Sequence, residues 1–303
     1  MSGSAVVFEQ HRRRLLRLAY RMLGTMSDAE DVVQDAYLRF HRADVESVQS
    51  PEAWLVTVVT RLALDRFRAA KTERRAYVGP WLPEPWMQGA RDEETPDARS
   101  QRKSELSYAA LVLLDRLEAE ERAAFLLREV FDVDYGVVAA ALERNEAACR
   151  QLVHRARERV FEGKPRRRST AAEQEDLLRR LHAAAETQNT DALAKLFDPD
   201  AVFVSDGGGK VSAALRSIHG ADRLVRVTQG VARKERVKVS EIRFLDAEPA
   251  LVTWWRDQVR SVTFVDARDG MIHAVYKVLN PNKIREVGPP PTASRAAARA
   301  VGP

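Results

Sequence analysis

Six polar side chains between residues 144 and 157 have the chemistry needed to bind DNA. Arginine can donate two hydrogen bonds to guanine, and glutamine can pair bidentately with adenine. Basic side chains can also contact backbone phosphates. These residue types therefore suit direct readout of base edges. The candidates are Arg144, Arg150, Gln151, His154, Arg155 and Arg157.

A helix-turn-helix is the element that would position these candidates. A short apolar segment follows Asp134, a break falls at residues 143–145, and a second helix begins near Arg144 or Asn145. That second helix would lie in the major groove of DNA. The alternative is a solvated face on an ordinary helical hairpin, because periodicity does not establish the turn geometry. The predicted buried residues of the second helix are Ala148, Leu152, Val153, Ala156 and Val160.

Residues 8–75 show helical periodicity, with almost no glycine or proline. Ser27 is predicted to begin one helix as its N-cap, with Glu30 completing a capping box. That helix has an apolar face and an opposite acidic face, which alone is typical of a solvated surface. A later helix begins at Ser50–Pro51 and changes from an apolar start to a strongly basic end. The acidic face carries Asp28, Glu30, Asp31, Gln34 and Asp35.

Together these segments resemble the extracytoplasmic-function sigma factors, the promoter-selecting subunits of bacterial RNA polymerase. Residues 111–161 are similar to region 4 of that family, and DAEDVVQDAYLRF and PEAWLVTVVTRLALDRFRAAKTERR are similar to region 2. Two residues depart from the family pattern. Glu143 replaces a turn glycine and is expected to strain a position that favours a left-handed backbone. Cys149 replaces a valine or isoleucine and is expected to act as a small buried hydrophobe.

The resemblance implies a role for each segment. Region 4 would read the −35 promoter element, while the acidic face of region 2 would bind a coiled coil of the largest polymerase subunit. The basic helix of region 2 would melt and read the −10 element, since a cationic groove with apolar surfaces suits single-stranded DNA. Trp54 and Phe67 could stack a base, although both also match a buried helical face. The implied −10 contacts are Arg61, Asp65, Arg68, Arg74 and Arg75.

Composition limits the class of protein. A chain of 303 residues with 45% hydrophobic residues predicts two or three folded domains. No stretch is long and apolar enough to span a bilayer, and residues 1–25 lack the pattern of a secretory signal. With a single cysteine, this predicts a cytoplasmic protein that is not membrane-bound. The net charge of +5 and the basic clusters Arg61–Arg75 and Arg150–Arg168 suit a protein that holds DNA at two places.

Residues 77–105 are predicted to form a linker, because prolines and acidic residues are frequent there. The segment Gly79–Trp86 is unusual for a solvated linker, since exposed apolar groups gain nothing from contact with water. We therefore expect Trp81, Leu82 and Trp86 to dock on another surface. The alternative is a hydrophobic cover over the N-terminal domain.

The C-terminal half is predicted to be an α+β domain. After a basic hinge at Lys164–Thr170, helices are expected at Ala171–Thr187, Asp191–Phe197 and Gly220–Ala232. Alternating apolar residues predict six strands: Ala201–Ser205, Val211–Leu215, Val237–Leu245, Leu251–Arg256, Val259–Val265 and Met271–Val278. These elements favour a cone formed by a curved antiparallel sheet, with a central pocket. Residues 286–303 are of low complexity and are expected to be disordered.

This half resembles the SnoaL-like domains of the nuclear-transport-factor superfamily over residues 171–285. WLPEP at 81–85, DGGGK at 206–210 and NPNKI at 280–284 are similar to phrases of the sigma subgroup that carries such an extension. The resemblance associates the last two phrases with contacts that tie the extension to the sigma domains. The alternative for DGGGK is a hairpin turn between two strands. The implied interdomain regulatory residues are Trp81, Leu82, Pro83, Asp206, Gly207, Gly208, Gly209, Lys210, Asn280, Pro281 and Lys283.

The predicted organisation is region 2 in residues 1–76, region 4 in residues 106–165, and the extension. The predicted function is promoter-specific transcription initiation with core RNA polymerase and promoter DNA, modulated in cis by the extension, whose pocket could bind a small ligand. Neither a cofactor nor a metal nor an enzymatic activity is predicted. One alternative is a ligand-responsive helix-turn-helix regulator, for which the acidic helix would have no use. The other is a fused SnoaL-like enzyme with acid–base candidates at His182, Asp206, His219, Asp257 and His273.

Overall fold

The computed structural model describes residues 3–43, 48–87, 106–160, 169–234, 239–246 and 248–290. The chain divides into two compact units. The first unit contains residues 1–76, 94–106 and 110–164, and the second contains residues 77–93, 107–109 and 165–303. Most of the predicted basic hinge and residues 291–303 of the predicted tail lie outside the described residues. Within the described part, no helix combines the length and the apolar character needed to cross a bilayer.

The first unit begins with three helices, α1 (Gly3–Leu23), α2 (Met26–Arg42) and α3 (Pro51–Glu73), with a 3₁₀ turn at Arg74–Ala76. The predicted start of α3 is confirmed, since the Ser50 side chain accepts a hydrogen bond from the Ala53 amide at 3.3 Å. The predicted capping box at Ser27 is wrong. Thr25 is the extended N-cap residue, so Ser27 already lies in the first turn of α2.

Four further helices follow: α4 (Tyr108–Leu114), α5 (Ala119–Phe125), α6 (Tyr135–Leu142) and α7 (Glu146–Val160). All belong to the first unit except the first two residues of α4, which belong to the second. A π-helical turn at Leu126–Val130 follows α5. The predicted helix-turn-helix is formed by α6 and α7. Of the residues predicted to be buried in α7, Ala148 is only half-buried, while Cys149 is fully buried.

The second unit packs helices against a six-stranded sheet. Its helices are α8 (Ala171–Glu186), α9 (Thr190–Ala194), α10 (Ala221–Lys234) and α11 (Pro281–Ile284), followed by a 3₁₀ turn at Arg285–Val287. Its strands are β1 (Phe197–Asp206), β2 (Ile218–His219), β3 (Val239–Leu245), β4 (Glu248–Trp255), β5 (Gln258–Arg268) and β6 (Met271–Val278). The core lies between the sheet and α8 to α10.

The sheet order is β2-β1-β6-β5-β4-β3. Strands β3 to β6 form an antiparallel meander, and two-residue turns with positive φ at Arg256–Asp257 and Asp269–Gly270 connect its last three strands. β1 pairs with β6 in parallel, so the prediction of an antiparallel sheet is wrong for this pair of strands. The reason is connectivity, because α10 and the meander separate these two neighbours along the chain.

Two other predictions about this unit are wrong. Residues 211–217 form bends rather than a strand, and the Ser205 hydroxyl accepts a hydrogen bond from the Ala214 amide at 2.9 Å in place of a strand ladder. DGGGK is therefore not a hairpin turn between two long strands. The start of the predicted disordered tail is ordered, since Arg243 donates hydrogen bonds to the carbonyls of Val287 and Pro289 at 2.9 Å each.

Candidate functional site

The acidic face of α2 is exposed except at its first member. Asp28 is half-buried, and its carboxylate accepts two hydrogen bonds from Arg66 of α3 at 2.6 and 2.8 Å. This contact raises the pKa of Arg66. Asp28 therefore joins α2 to α3, which leaves four candidates at the surface. The exposed candidates are Glu30, Asp31, Gln34 and Asp35.

The basic residues of α3 meet acidic groups and carbonyls of region 4 inside the first unit. Arg61 donates to the Ala140 carbonyl at 2.7 Å, a favourable place for a cation because the C-terminus of a helix carries partial negative charge. Further along α3, Arg68 lies 3.4 Å from the Glu120 carboxylate. Region 4 therefore contacts three of the five residues that the sequence assigns to the −10 element, namely Arg61, Arg68 and Arg74. Three more ion pairs continue the contact: Arg61–Glu143, Lys71–Glu118 and Arg74–Asp115.

The remaining −10 candidates have different surroundings. Asp65 is exposed and lies 3.4 Å from Arg68, and Arg75 is also exposed. Phe67 is fully buried, so it packs in the core and is not available to stack on a base in this arrangement. Trp54 is half-buried, with its ring centroid 5.5 Å from that of Phe40.

A buried cation lies at the centre of the contact between regions 2 and 4. Arg122 of α5 donates to the Arg21 carbonyl at 2.8 and 3.1 Å and lies 3.2 Å from Asp115. Its guanidinium also lies 5.0 Å from the ring centroid of Phe67. Desolvation lowers the pKa of Arg122 to about 10, and Asp115 opposes this shift, so the side chain stays charged at neutral pH. Sequence reasoning did not find this residue, because Arg122 directly follows Glu120 and Glu121, and a run of charged residues is typical of a solvated face.

The turn of the helix-turn-helix has the strained left-handed backbone that was expected at its glutamate. Glu143 has φ +55° and ψ 42°, a left-handed conformation that favours glycine. Asn145 then begins α7, and its side chain accepts a hydrogen bond from the Ala148 amide at 2.8 Å. Burial raises the pKa of the Cys149 thiol, in agreement with a packed and unreactive position.

The polar residues of α7 divide into two groups. Arg155 and Arg157 lie at the flanks of the helix, where they pair with Glu121 at 3.2 Å and Glu129 at 3.0 Å. Gln151 and His154 are exposed opposite the buried face of α7. The outward face therefore centres on these two residues. Arg150 and Arg144 lie beside it and pair with Glu146 and Glu120.

Three separate phrases meet at one buried carboxylate in the second unit. Asp206, at the end of β1, is 0% exposed. Its carboxylate accepts hydrogen bonds from the Tyr77 hydroxyl at 2.5 Å, the Leu82 amide at 2.9 Å and Lys283 at 2.7 Å. Lys283 also donates to the Leu82 carbonyl at 2.6 Å and lies 4.1 Å from the ring centroid of Trp81. WLPEP, DGGGK and NPNKI thus form a single cluster, which we call the docking cluster.

The glycines of DGGGK are needed for close approach. A Cβ atom at Gly208, which has φ +56°, would overlap the Asn280 amide and the Tyr77 hydroxyl. A Cβ atom at Gly207 would approach the Val211 carbonyl to 2.5 Å, and one at Gly209 would lie 3.2 Å from Val78. Lys210 is exposed, whereas Asn280 and Lys283 are buried beside the exposed Pro281.

The other end of the linker is fixed by Tyr108, which sequence reasoning missed. Its hydroxyl donates to the Pro83 carbonyl at 2.7 Å, and its ring stacks on Phe264 with centroids 4.0 Å apart. Leu82, Pro83 and Trp86 are buried in the same unit. The docked segment therefore belongs to the C-terminal unit, and the alternative of a cover over the N-terminal domain is wrong. A tyrosine directly after a long linker is the only signal that could have indicated this anchor.

The acid–base candidates of the extension do not gather in one place. His182 lines a cavity of about 310 Å³ between α8, α10 and the sheet, whereas Asp206, His219, Asp257 and His273 are absent from the described lining. The Nε2 atom of His182 lies 2.6 Å from the Ser240 hydroxyl and 3.4 Å from the Glu186 carboxylate. Both partners thus meet the same ring nitrogen, whereas a nucleophile–histidine–carboxylate relay uses the two nitrogens separately.

Known proteins share this arrangement of domains. The family profile described as Sigma-70 region 2 matches residues 7–73, and that described as Sigma-70, region 4 matches residues 108–160. The ECF RNA polymerase sigma factor SigJ of Mycobacterium tuberculosis is 35% identical over 292 residues, which cover 91% of each chain. The probable ECF RNA polymerase sigma factor SigI of the same organism is 32% identical over 197 residues, or 64% of this chain and 67% of that protein.

The crystal structure of SigJ from Mycobacterium tuberculosis aligns with a TM-score of 0.73 and 33% identity, and covers 92% of this chain and 98% of that one. The protein belongs to the extracytoplasmic-function sigma factors of RNA polymerase, and it directs promoter-specific initiation of transcription. This confirms the predicted family and the predicted fold class of two helical sigma domains with an α+β extension.

Proposed function

We propose that this sigma factor is held closed by contacts between its two promoter-binding regions, and that its extension controls their release. The observation that carries the proposal is the contact of region 4 with α3, where Arg61 and Arg68 meet Ala140 and Glu120. An arginine that pairs with a protein carboxylate gives up part of that contact when it pairs with a DNA phosphate, so the two contacts compete. Binding of the −10 element by α3 would therefore favour separation of regions 2 and 4.

Core polymerase is proposed to bind the exposed acidic face of α2. Asp31 and Asp35 are solvated, so reversing their charge should remove polymerase binding and leave the fold intact. The test is co-elution of the Asp31→Lys/Asp35→Lys variant with core enzyme. Asp176→Lys/Asp222→Lys, which changes two exposed residues of the extension, has the same net charge and is the matched control. Unchanged co-elution of the α2 variant would contradict the assignment.

The −35 element is proposed to be read by the outward face of α7. Alanine at Gln151 or His154 should relax specificity at one base pair and cost about 1–3 kcal/mol for a lost base contact. Alanine at Arg150, or at the internally paired Arg155 and Arg157, should weaken binding to all sequences and lower the salt slope. Binding of promoter probes with single base changes measures both effects. If every variant bound all probes like the natural protein, α7 would not be the reading helix.

The extension is proposed to act in cis by holding the linker between regions 2 and 4. The docking cluster fixes Tyr77 and Leu82 near one end of this linker, and Tyr108 is fixed at the other end. Release of the linker would give the two regions more chain with which to separate. In a purified transcription assay, Lys283→Met and truncation after Val278 should therefore change initiation in the same direction. Natural levels of initiation from both proteins would contradict regulation by the extension.

The extension is further proposed to bind a small molecule without transforming it. The contacts of Ser240 and Glu186 with one nitrogen of His182 support this view, because they do not form a catalytic relay. A ligand that binds one linker state better would shift the equilibrium between them. Turnover of a small substrate by the full-length protein, if lost in His182→Ala, would instead identify an enzyme.

A further inference from the structure

Helix α10 of the second unit has an exposed basic face. Residues 207–240 contain eight lysines and arginines but only two acidic residues, Asp222 and Glu235. Leu224 and Val225 are buried on the opposite side of the helix. The helix therefore packs through its apolar side and exposes its cations to solvent. The exposed cations are Arg223, Arg226, Arg233 and Lys234.

These cations differ from those of α8, which have the surroundings of an ordinary solvated face. Each of the two arginines of α8 pairs with an acidic residue one turn earlier. Within the described part of the chain, Arg223, Arg226 and Lys234 make neither a hydrogen bond nor an ion pair, although Asp222 lies one turn before Arg226. Arg233 donates to the side-chain oxygen of a neutral glutamine. The face therefore carries positive charge that the protein itself does not neutralise.

A glycine lies in the middle of this basic face. Gly230 lies one turn after Arg226 and one turn before Lys234, so it separates the cations of successive turns. Glycine weakens the interior of a helix, yet no described atom lies within 4 Å of a Cβ atom added at Gly230, and its φ is not positive. Neither packing nor backbone conformation in the described structure requires glycine here. The missing side chain leaves a notch in which a ligand can approach the helix backbone.

The basic face continues from α10 onto the sheet and is too long for a small anion. Gly230 and Lys234 line a cavity of about 530 Å³ together with the exposed Arg260 of β5, and its described lining contains no acidic residue. From Arg223 to Lys234 the helix rises about 16 Å, at about 1.5 Å per residue. A small anion cannot contact cations spread over this length, whereas duplex DNA has one negative charge per about 1.7 Å of its axis.

We infer that the extension binds the phosphate backbone of double-stranded DNA through the basic face of α10. Arg223, Arg226 and Lys234 pair with phosphates, and the notch at Gly230 allows the backbone to approach closely. Phosphate contacts position a protein on DNA but carry no sequence information. The extension therefore adds affinity to the complex with DNA without choosing the promoter. This contact is separate from the proposed closed state and does not depend on it.

The experiment is fluorescence anisotropy of the full-length protein with a promoter duplex and with a duplex of unrelated sequence, each over a range of salt concentrations. Arg223→Gln/Arg226→Gln/Lys234→Gln should bind both duplexes at least roughly tenfold more weakly at low salt. Its salt slope should be smaller by roughly 2–3, because each lost phosphate contact removes about 0.9 from the slope. A loss confined to the promoter duplex, or an unchanged salt slope, would overturn the inference.

A charge-matched control separates contact from net charge. Arg179→Gln/Arg180→Gln/Lys195→Gln removes the same charge from exposed positions outside α10. It should retain nearly the whole salt slope, because salt screens charges that make no contact with the DNA. Equal losses in the two triple variants would reduce the effect to net charge and contradict the inference. Weaker co-elution of the α10 variant with core polymerase, at unchanged DNA affinity, would assign the face to the polymerase instead.

Gly230→Met tests the notch without changing the charge. Methionine is a better helix former than glycine and its Cβ atom lies in open space, so the melting temperature should stay the same or rise. The longer side chain should keep phosphates away from the helix and weaken binding of both duplexes several-fold. A more stable protein that binds DNA more weakly is not expected from a purely structural role of Gly230. Natural DNA affinity of Gly230→Met would contradict the close approach.

Discussion

The contact between regions 2 and 4 and the docking cluster both depend on ion pairs, but they differ in burial. In the first contact, Lys71 pairs with Glu118, a carboxylate whose side chain is 71% exposed, and Arg68 is 54% exposed. In the docking cluster, Asp206 is 0% exposed and Lys283 is 7% exposed. The first contact is made at the surface of the two regions, whereas the second is part of a core.

This difference in burial implies a difference in strength. An exposed ion pair contributes about 0.2–1 kcal/mol and is screened by salt. Removing one partner of a buried pair costs about 3–5 kcal/mol, because the other charge remains without compensation. We infer that the contact between regions 2 and 4 is suited to opening and the docking cluster to holding. Arg122 is the buried exception in the first contact, where its guanidinium donates two hydrogen bonds to the Arg21 carbonyl.

The largest effect is expected from Lys283→Met in the docking cluster. Among the described residues, this change leaves the buried Asp206 carboxylate with the Tyr77 hydroxyl and the Leu82 amide as its hydrogen-bond donors. It should lower the free energy of unfolding of the second unit by about 3–5 kcal/mol. Urea unfolding followed by tryptophan fluorescence measures the loss. Lys210→Met, in an exposed position close by, is the control, and equal stabilities of the two variants would show that the cluster does not hold the linker.

A smaller effect is expected from Gly208→Ala. The new methyl group would overlap Asn280 and Tyr77, and φ +56° strains any L-residue, so the expected cost is about 2–4 kcal/mol. Gly270→Ala is the control, because φ is +77° there but nothing lies within 4 Å of the added carbon. The difference in unfolding free energy between the variants isolates the overlap. If both variants lost the same amount, DGGGK would be needed only for its backbone conformation.

The fold was largely predictable because its elements follow local patterns. Strand Met271–Val278 begins and ends as predicted, since its alternation is bounded by a turn at Asp269–Gly270. The predicted strand at Val211–Leu215 was wrong. Its apolar residues follow three glycines, a pattern that in a sequence resembles a hairpin turn before a strand. The Ser205 hydroxyl there replaces a ladder hydrogen bond, and no pattern along the chain reveals that contact.

The site residues were predictable as phrases but not as contacts. The sequence singled out WLPEP, DGGGK and NPNKI, yet it could not show that they meet at Asp206, because contacts across more than a hundred residues leave no periodic signal. Asp28 and Arg66 show the same limit within region 2. Helical spacing placed Asp28 on the acidic face, but only the packing of α2 on α3 shows its partner.

A modest effect is expected from Glu118→Gln/Glu120→Gln in the contact between regions 2 and 4. The change removes the carboxylates that face Lys71 and Arg68, each worth about 0.2–1 kcal/mol. Single-stranded −10 DNA should therefore bind roughly two- to thirtyfold more tightly at low salt. Fluorescence anisotropy of the full-length variant against the natural protein measures this ratio, which should approach one as salt is raised.

Glu9→Gln/Glu286→Gln, at exposed positions outside this contact and outside α7, controls for the change in net charge. If the control strengthened DNA binding as much, the effect would be long-range attraction and not opening. A ratio independent of salt would also contradict a contact made of exposed ion pairs.

The smallest effect is expected from Glu143→Gly, because the relief of backbone strain is opposed by the greater freedom of the unfolded chain and by the loss of an ion pair. The left-handed conformation at φ +55° costs residues other than glycine about 1–2 kcal/mol, and glycine removes this cost. Glycine also gives the unfolded chain more conformational freedom, which lowers the free energy of unfolding by about 0.5–1 kcal/mol. The change also removes the ion pair with Arg61, in which Glu143 is 75% exposed. Region 4 should therefore be almost unchanged at low salt and more stable by up to about 1 kcal/mol at high salt.

Cys149 provides the measurement, because it is the only cysteine and lies on the buried face of α7. Its reaction with a thiol reagent requires local opening of region 4, so at high salt Glu143→Gly should slow the reaction by up to roughly fivefold. Glu143→Gln separates the two contributions, since it removes the charge and retains the strained backbone. It should leave the rate unchanged at high salt. Faster labelling of Glu143→Gly at high salt would mean that the glutamate stabilises the turn by a contact other than its ion pair.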